Sequence, residues 1–486
     1  MAQPATTPFQ AAADSLDPTD WNAVRQMGHR MLDDMVDMLA GLREAPVWQP
    51  MPADKRQALR SGDVPTAPGD LGAVYQDFQT LVQPYGSGNI HPRFVGWVQG
   101  GGNPVGMLAE LLTAATNPNL GGRDHAPIEV ERQVIRWAAQ MLGFPQDASG
   151  VLVTGTSMAN LIAVLVARTR ALGTAVRQEG LQGQPLVAYT SVEAHNCVAR
   201  AMDMAGLGSQ ALRLIGLDAQ HRMDMDVLQA TIARDRAAGL QPFMVIGSAG
   251  TVDTGAVDDL VAISALTRAQ GLWFHVDAAF GALAMLSPAQ RHLVAGLSEA
   301  DSVAFDFHKW AQVPYDAGCI LVRDAALHAS TFATQPAYLQ RSARGLAGNH
   351  PWPTDFGPDL SRGFRALKVW MTLKTYGTDK LGQVVAGNCA LAQQLAQRVR
   401  ADASLELLAP VTLNVVCFRV LADVPDLDAF NADVVADVQE SGVAVPSTTR
   451  VDGKMAIRVA FVNHRTREED LDLLLGAIRQ AADHRT

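Results

Sequence analysis

The spacing of apolar residues along this chain changes three times. Between residues 20 and 43, Val24, Met27, Met31, Leu32, Met35, Val36 and Leu39 recur at helical intervals. One amphipathic helix is predicted there, with Thr19 or Asp20 as its N-cap. Residues 45–69 are rich in Pro, Asp and Gly and read as irregular linker. The middle of the chain carries short apolar runs at 151–153, 186–189, 243–247, 272–276, 302–305 and 319–322. Helical patterns at 161–168, 227–237 and 259–268 lie between several of them. This rhythm predicts an α/β layer fold with a mostly parallel sheet, whose ligands sit at strand ends.

From residue 367 the pattern shifts again. A long helical stretch (367–399) precedes a period-two strand (411–420), a helix (426–441), an alternating strand (455–461) and a final helix (468–482). Three parts are expected: an N-terminal helical segment (1–100), a large α/β domain (101–366) and a small C-terminal α+β domain (367–486). The first 18 residues are polar and Pro/Ala-rich and read as a loose arm. The N-terminal segment has too little apolar surface to fold alone, so it is expected to pack on another domain or a partner subunit.

Composition narrows the setting. A chain of 486 residues exceeds one simple core. Hydrophobic residues at 48% against 18% charged can fill a sizeable interior. The net charge of −10, without a long basic run, argues against nucleic acid or an anionic membrane as partner. The four cysteines lie far apart with no C-x-x-C spacing, so neither a metal site nor a disulfide framework is expected. No apolar stretch is long enough for a membrane span, and the first residues lack a secretory layout. A cytoplasmic setting is the expectation.

The residues that can carry chemistry cluster at strand ends. The run 300–310 places Lys309 at the end of an apolar strand, and the run 273–279 ends its strand in Asp277. A buried lysine or carboxylate is costly unless it finds a partner. Such a pair can hold pyridoxal phosphate, with the lysine as Schiff base and the acid on the ring nitrogen. The pair can equally be a structural ion pair. The segment 150–160 reads as strand, tight turn and helix start, where backbone N–H groups with Thr156 and Ser157 suit a phosphate. Plain N-capping explains the same residues. His195 could cover a planar ligand or be a polar loop residue. Thr251 stands in a turn after the strand at 243–247, where it could equally bond its own backbone.

These motifs carry a resemblance. Thr156-Ser157, Ala194-His195, His275-Val276-Asp277-Ala278-Ala279 and Asp306-Phe307-His308-Lys309-Trp310, in this order, resemble the group II pyridoxal-phosphate decarboxylases, and most of all the aromatic-L-amino-acid decarboxylases. The likeness runs from about residue 91 to the C-terminus. It includes His91-Pro92-Arg93-Phe94, Phe364-Arg365-Ala366-Leu367-Lys368-Val369-Trp370 and Val462-Asn463-His464-Arg465-Thr466. The resemblance implies a type I pyridoxal-phosphate fold and a homodimer with its active site at the subunit interface. Its reaction is decarboxylation of an L-amino acid, aromatic by preference, to an amine. By position it implies Lys309 as the Schiff-base lysine, Asp277 as the ring-nitrogen partner and His195 as the stacking residue. It further implies Thr156 and Ser157 around the phosphate, with Thr251, Ala279 and His308 lining the cofactor. Tyr338 matches the mobile-loop tyrosine that protonates the substrate carbon. The polar stretch 335–353, with Gly345 and Gly348, would be the lid that carries it.

The sequence also departs from that pattern. Asp306 stands where relatives tend to carry Asn near the phosphate. A carboxylate there repels phosphate unless it bonds elsewhere, so direct contact is not expected. Gly100 falls where aromatic decarboxylases carry a hydroxyl residue near substrate, and Trp97 replaces another aromatic in that wall. The run Gly100-Gly101-Gly102 reads as open. Trp97, Phe94 and Phe280 could form an apolar pocket for an aromatic side chain or simply pack in the core. No arginine cluster is evident in the candidate pocket. Two other readings stand beside this one: a pyridoxal-phosphate aldehyde synthase or decarboxylase of a non-aromatic amino acid, and an α/β-hydrolase. For the last, Gly155-Thr156-Ser157-Met158-Ala159 is a near miss of the nucleophile elbow, with Ser157, Asp277 and His308 in suitable order.

Overall fold

The computed structural model describes residues 15–334 and 342–486. Seven strands form the large sheet: β1 (Ser149–Val153), β2 (Leu186–Ser191), β3 (Leu212–Ile215), β4 (Gln241–Ser248), β5 (Trp273–Asp277), β6 (Ser302–Asp306) and β7 (Gly318–Val322). Their order is β1-β7-β6-β5-β4-β2-β3. All neighbours are parallel except β7, which runs antiparallel to both β1 and β6.

Alternate residues of each strand enter different cores. Leu152, Val245, Phe274, Val276 and Val303 face one apolar cluster, while Val151, Val153, Met244, Ile246 and Ala304 face the other. A sheet covered on both faces produces continuous apolar runs rather than alternation. The helix Thr156–Leu172 buries Ala159, Ile162, Ala163 and Val166 on the second face.

The smaller sheet comprises β8 (Leu405–Leu407), β9 (Val415–Val420), β10 (Ser447–Val451) and β11 (Lys454–Ala460), antiparallel in the order β10-β11-β9-β8. Helices Leu427–Glu440 and Glu469–Asp483 complete its core. The N-terminal segment docks here, as expected of a piece that cannot fold alone. The Val95 and Val445 N–H groups donate to the Val445 and Arg93 carbonyls, and Arg43 pairs with the buried Asp470. Among the described residues no helix is long and apolar enough to cross a membrane.

The elements differ from the sequence reading in several places. The segment 45–69 contains the helix Ala53–Arg60, which buries none of its residues and so leaves no apolar periodicity to read. The helices Pro104–Thr116 and Ala126–Leu142 and the short strands β3, β8 and β10 were likewise not read. The long helix Arg365–Ala401 is broken at Gly377, whose φ of 72° lies in the left-handed region. The strand expected over 411–420 is ordered only as Val415–Val420.

Candidate active site

Strands β1, β2, β4, β5 and β6 all point the same way, so their carboxyl ends form one edge of the sheet. The turns leaving that edge carry Thr156 after β1, His195 after β2, Thr251 after β4, Asp277 at the end of β5 and Lys309 after β6. Together they line a cavity of about 350 Å³. Ser157, Ala279, His308, Trp97 and Phe280 line it too.

Lys309 is not on the strand itself but three residues beyond it, with its side chain 20% exposed. Its Nζ lies 3.0 Å from Asp306 Oδ2. Asp306 also accepts the Thr156 backbone N–H (2.9 Å) and hydroxyl (3.1 Å), capping the helix that starts at Thr156. Its carboxylate is thus engaged by Lys309 and Thr156 while still lining the cavity. Ser157, next in that helix, is exposed.

His308 Nδ1 accepts the Ala317 N–H at 3.0 Å. Burial, with the charge of Lys309 nearby, holds the imidazole below its ordinary range. The neutral ring therefore carries its proton on Nε2, which faces Asp306 Oδ2 at 3.6 Å. Tyr315 packs on this ring at a centroid distance of 4.3 Å, and burial pushes its phenol up to about 12.

Asp277 is buried at the end of β5. Its Oδ2 accepts Asn160 Nδ2 at 3.0 Å and its Oδ1 accepts the Ala279 N–H at 3.2 Å. Burial pushes the carboxyl up, and Lys309, Asn160 and His195 oppose that shift. Thr251 is buried, donates its hydroxyl to Glu193 (3.1 Å) and accepts the Ala256 N–H (3.1 Å). It thus lines the cavity and bonds its own turn at once.

Three expectations change. Gly100 does not line the cavity: a Cβ there would meet the His308 and Lys309 carbonyl oxygens at 2.3 and 2.5 Å. The glycine run is a tight backbone crossing at this point, not an opening. Phe94 packs away from the cavity with Val47 and Val445, while Trp97 stands at the rim, 48% exposed. The hydrolase arrangement is also absent, because both ring nitrogens of His308 face Asp306 and Ala317. Tyr338 and part of its lid lie outside the described residues.

The sequence reading missed Arg458. It projects from β11 of the small domain into the cavity wall, 4% exposed. Nη1 donates to the Gly96 carbonyl and Nε to that of Asp253, but Nη2 is buried without a partner among the described residues. A cation inside an otherwise apolar strand, Met455-Ala456-Ile457-Arg458-Val459-Ala460, was the available signal. Glu193, Asn160 and Tyr315 had no comparable signal.

This donor set fits pyridoxal phosphate. An amine and a buried carboxylate stand at adjacent strand ends, hydroxyls and a helix N-terminus lie beside them, and the Nη2 of Arg458, without a partner among the described residues, remains for a further anion.

The chain is similar to known proteins over nearly its whole length. An aromatic-L-amino-acid decarboxylase of Bacillus atrophaeus is 31% identical over 95% of both chains. A phenylacetaldehyde synthase of Arabidopsis thaliana is 28% identical over 96% of this chain and 98% of its own. The crystal structure of Oryza sativa TDC with PLP and tryptamine superposes with a TM-score of 0.87 at 25% identity, covering 97% and 99% of the two chains. Residues 52–421 match the pyridoxal-dependent decarboxylase conserved domain. With a type I fold and a cofactor site built on one sheet edge, the chain belongs to the pyridoxal-phosphate-dependent amino-acid decarboxylases.

Proposed function

We propose that the protein decarboxylates an aromatic L-amino acid to its amine. The observation that carries this reading is one cavity lined by Lys309, from the turn after β6, and by Asp277, at the end of the adjacent parallel β5. Bound pyridoxal phosphate supplies an electron sink for the pair left by departing CO2. Lys309 would hold the cofactor through its amine, and Asp277 would keep the ring nitrogen protonated. His195 would cover the cofactor, with Thr251 and Ala279 forming the pocket wall. The exposed Ser157, at the helix N-terminus, would hold the phosphate, and Thr156 would join it by exchanging Asp306, to which its N–H and hydroxyl now donate. The neutral His308 braces the turn that carries Lys309. Arg458, whose Nη2 has no partner among the described residues, would receive a carboxylate of the bound amino acid. Tyr338 returns the proton to the substrate carbon, and its lid excludes water.

A homodimer with the site at the interface is part of this proposal. Leu108, Leu111 and Leu112 on Pro104–Thr116, and Trp21, Val74 and Val82 in the N-terminal segment, leave apolar surface exposed that a second copy could cover. The acidic balance and the buried free thiols suit the cytoplasm.

A panel of L-amino acids with amine and CO2 detection tests the reading, with Lys309→Ala expected to abolish both products. Tyr338→Phe is expected to lower amine yield and, with oxygen, raise aldehyde and peroxide. Aldehyde as the wild-type product would assign the synthase alternative. Turnover confined to acidic or aliphatic substrates would overturn the aromatic preference.

A further inference from the structure

Behind Asp277 lies a line of buried polar side chains that the proposed chemistry does not use. Trp273 Nε1 donates to Ser302 Oγ at 2.9 Å. Ser302 Oγ lies 2.8 Å from His275 Nδ1, and His275 Nε2 lies 2.6 Å from Asn160 Oδ1. Asn160 Nδ2 donates to Asp277 Oδ2 at 3.0 Å and lies 3.2 Å from Cys197 Sγ. Trp273, Ser302, His275 and Asn160 are each at most 2% exposed.

The polarity of this line follows from its two ends. The indole N–H can only donate. At the other end, Asn160 must turn its NH2 toward an ionised Asp277, because its carbonyl there would face the carboxylate. That leaves Asn160 Oδ1, an acceptor, opposite His275, so Nε2 carries a proton. Burial holds His275 down at about 3, so the ring is neutral and Nδ1 is an acceptor. Ser302 therefore donates its hydroxyl proton to Nδ1 and accepts from Trp273. Every hydrogen bond points the same way. Cys197, kept a thiol by burial and the neighbouring Asp277, adds a second donor 3.7 Å from Oδ2.

We propose that Trp273, Ser302, His275 and Asn160 form a one-way hydrogen-bond relay that positions Asp277 and favours its ionised form, and so keeps the cofactor's ring nitrogen protonated. This rests on the reading of Asp277 as the ring-nitrogen partner. The four are positioning residues, since none of them lines the cavity. Each bond polarises the next in a buried setting, where such chains are cooperative. The relay opposes the burial that would otherwise neutralise Asp277. It is also bistable. Without the Ser302 hydroxyl, His275 Nδ1 has only the Ser302 carbonyl, 3.1 Å away, which demands a proton on Nδ1. Nε2 then becomes an acceptor, the Asn160 amide turns over, and its carbonyl faces Asp277.

The holoenzyme reconstituted with pyridoxal phosphate labelled with 15N in the ring reports the outcome directly. The wild-type nitrogen is expected at the protonated shift. Ser302→Ala is expected to move it toward the unprotonated value and to raise the cofactor dissociation constant about tenfold. His275→Met should do the same. His275→Gln, which keeps a donor toward Asn160 and an acceptor toward Ser302, should restore the wild-type shift. Asp277→Asn serves as reference. If Asp277→Asn moves the signal while Ser302→Ala and His275→Met leave shift and affinity unchanged, the relay is passive and the proposal fails. If Asp277→Asn also leaves the signal in place, the underlying assignment of Asp277 fails instead. Should His275→Met not fold, Ser302→Ala alone decides.

Discussion

Gly100→Ala makes the sharpest test of how tightly the lysine turn is held. A Cβ at residue 100 would sit 2.3 Å from the His308 carbonyl oxygen and 2.5 Å from that of Lys309. The turn would have to retreat by about 0.7 Å to reach even 3.0 Å, the shortest separation that real Cβ atoms tolerate. The glycine run is itself held in place. The Gly100 carbonyl accepts Asn89 Nδ2 at 3.0 Å, the Gly101 N–H donates to Gln312 at 3.1 Å, and Asn463 stands 2.7 Å from where a Cβ of residue 101 would be. Overpacking of this kind costs about 1–3 kcal/mol, and displacing a reacting group by roughly 1 Å can cost about 10²-fold in rate. The variant should therefore lose several degrees in Tm and at least tenfold in kcat/KM, with a changed visible band of the bound cofactor. Gly387→Ala is the control. Among the described residues outside its own helix nothing lies within 4 Å of the added methyl, and alanine favours the helix, so its Tm should hold or rise. Gly100→Ala with wild-type Tm and kcat/KM would refute the claim that the glycine is required by contact with the lysine turn.

Other consequences follow from the same geometry. Arg458→Gln should raise KM for the amino acid about tenfold or more, the scale of a lost charged hydrogen bond; an unchanged KM would remove Arg458 from carboxylate binding. Arg362 makes two bonds to the buried Glu131 and donates to the Leu120 and Leu152 carbonyls. Arg362→Leu strands that carboxylate and should cost about 3–5 kcal/mol in urea unfolding, and an unshifted midpoint would contradict this. Burial holds the His328 imidazole down at about 3. A depressed folded value means stability present above the unfolded pKa and lost as pH falls toward the folded one. His328→Gln should therefore remove about 2 kcal/mol of the stability lost between pH 7 and pH 5, measured as the difference in urea midpoints against wild type; parallel pH profiles would sink the idea. All four cysteines are buried and free, with thiols pushed up by burial, Cys389 and Cys417 to about 12. At pH 8 the native protein should show no fast-reacting thiol and the unfolded chain four; a prompt native reaction would show that one of them is accessible.

The residues that meet in the candidate cavity were readable because their signals are local. Asp277 and Lys309 each follow an apolar run that a two-faced sheet requires, and a charge at the end of such a run is conspicuous. Thr156 and His195 sit in turns of the same kind. Arg458 escaped because it reaches the cavity from β11, in another domain, where its neighbours suggested only a strand. Phe94 and Trp97 were grouped by proximity in the chain and their rings do meet, 5.8 Å apart, but only Trp97 reaches the cavity rim, while Phe94 packs with Val47 and Val445. Gly100 looked open because glycine has no side chain to declare what surrounds it.

The sequence by itself determined the strand–helix rhythm, the edge of the sheet that bears the chemistry and the residue types required there, because periodicity and turn chemistry act over a few residues. The tertiary structure alone decided which side chains share hydrogen bonds across that edge. Asp306 capping Thr156 while facing Lys309, the line from Trp273 to Asp277 and the unpaired face of Arg458 join residues up to 150 positions apart or separate domains. Their geometry is fixed by how the two cores pack, and no local pattern carries that information.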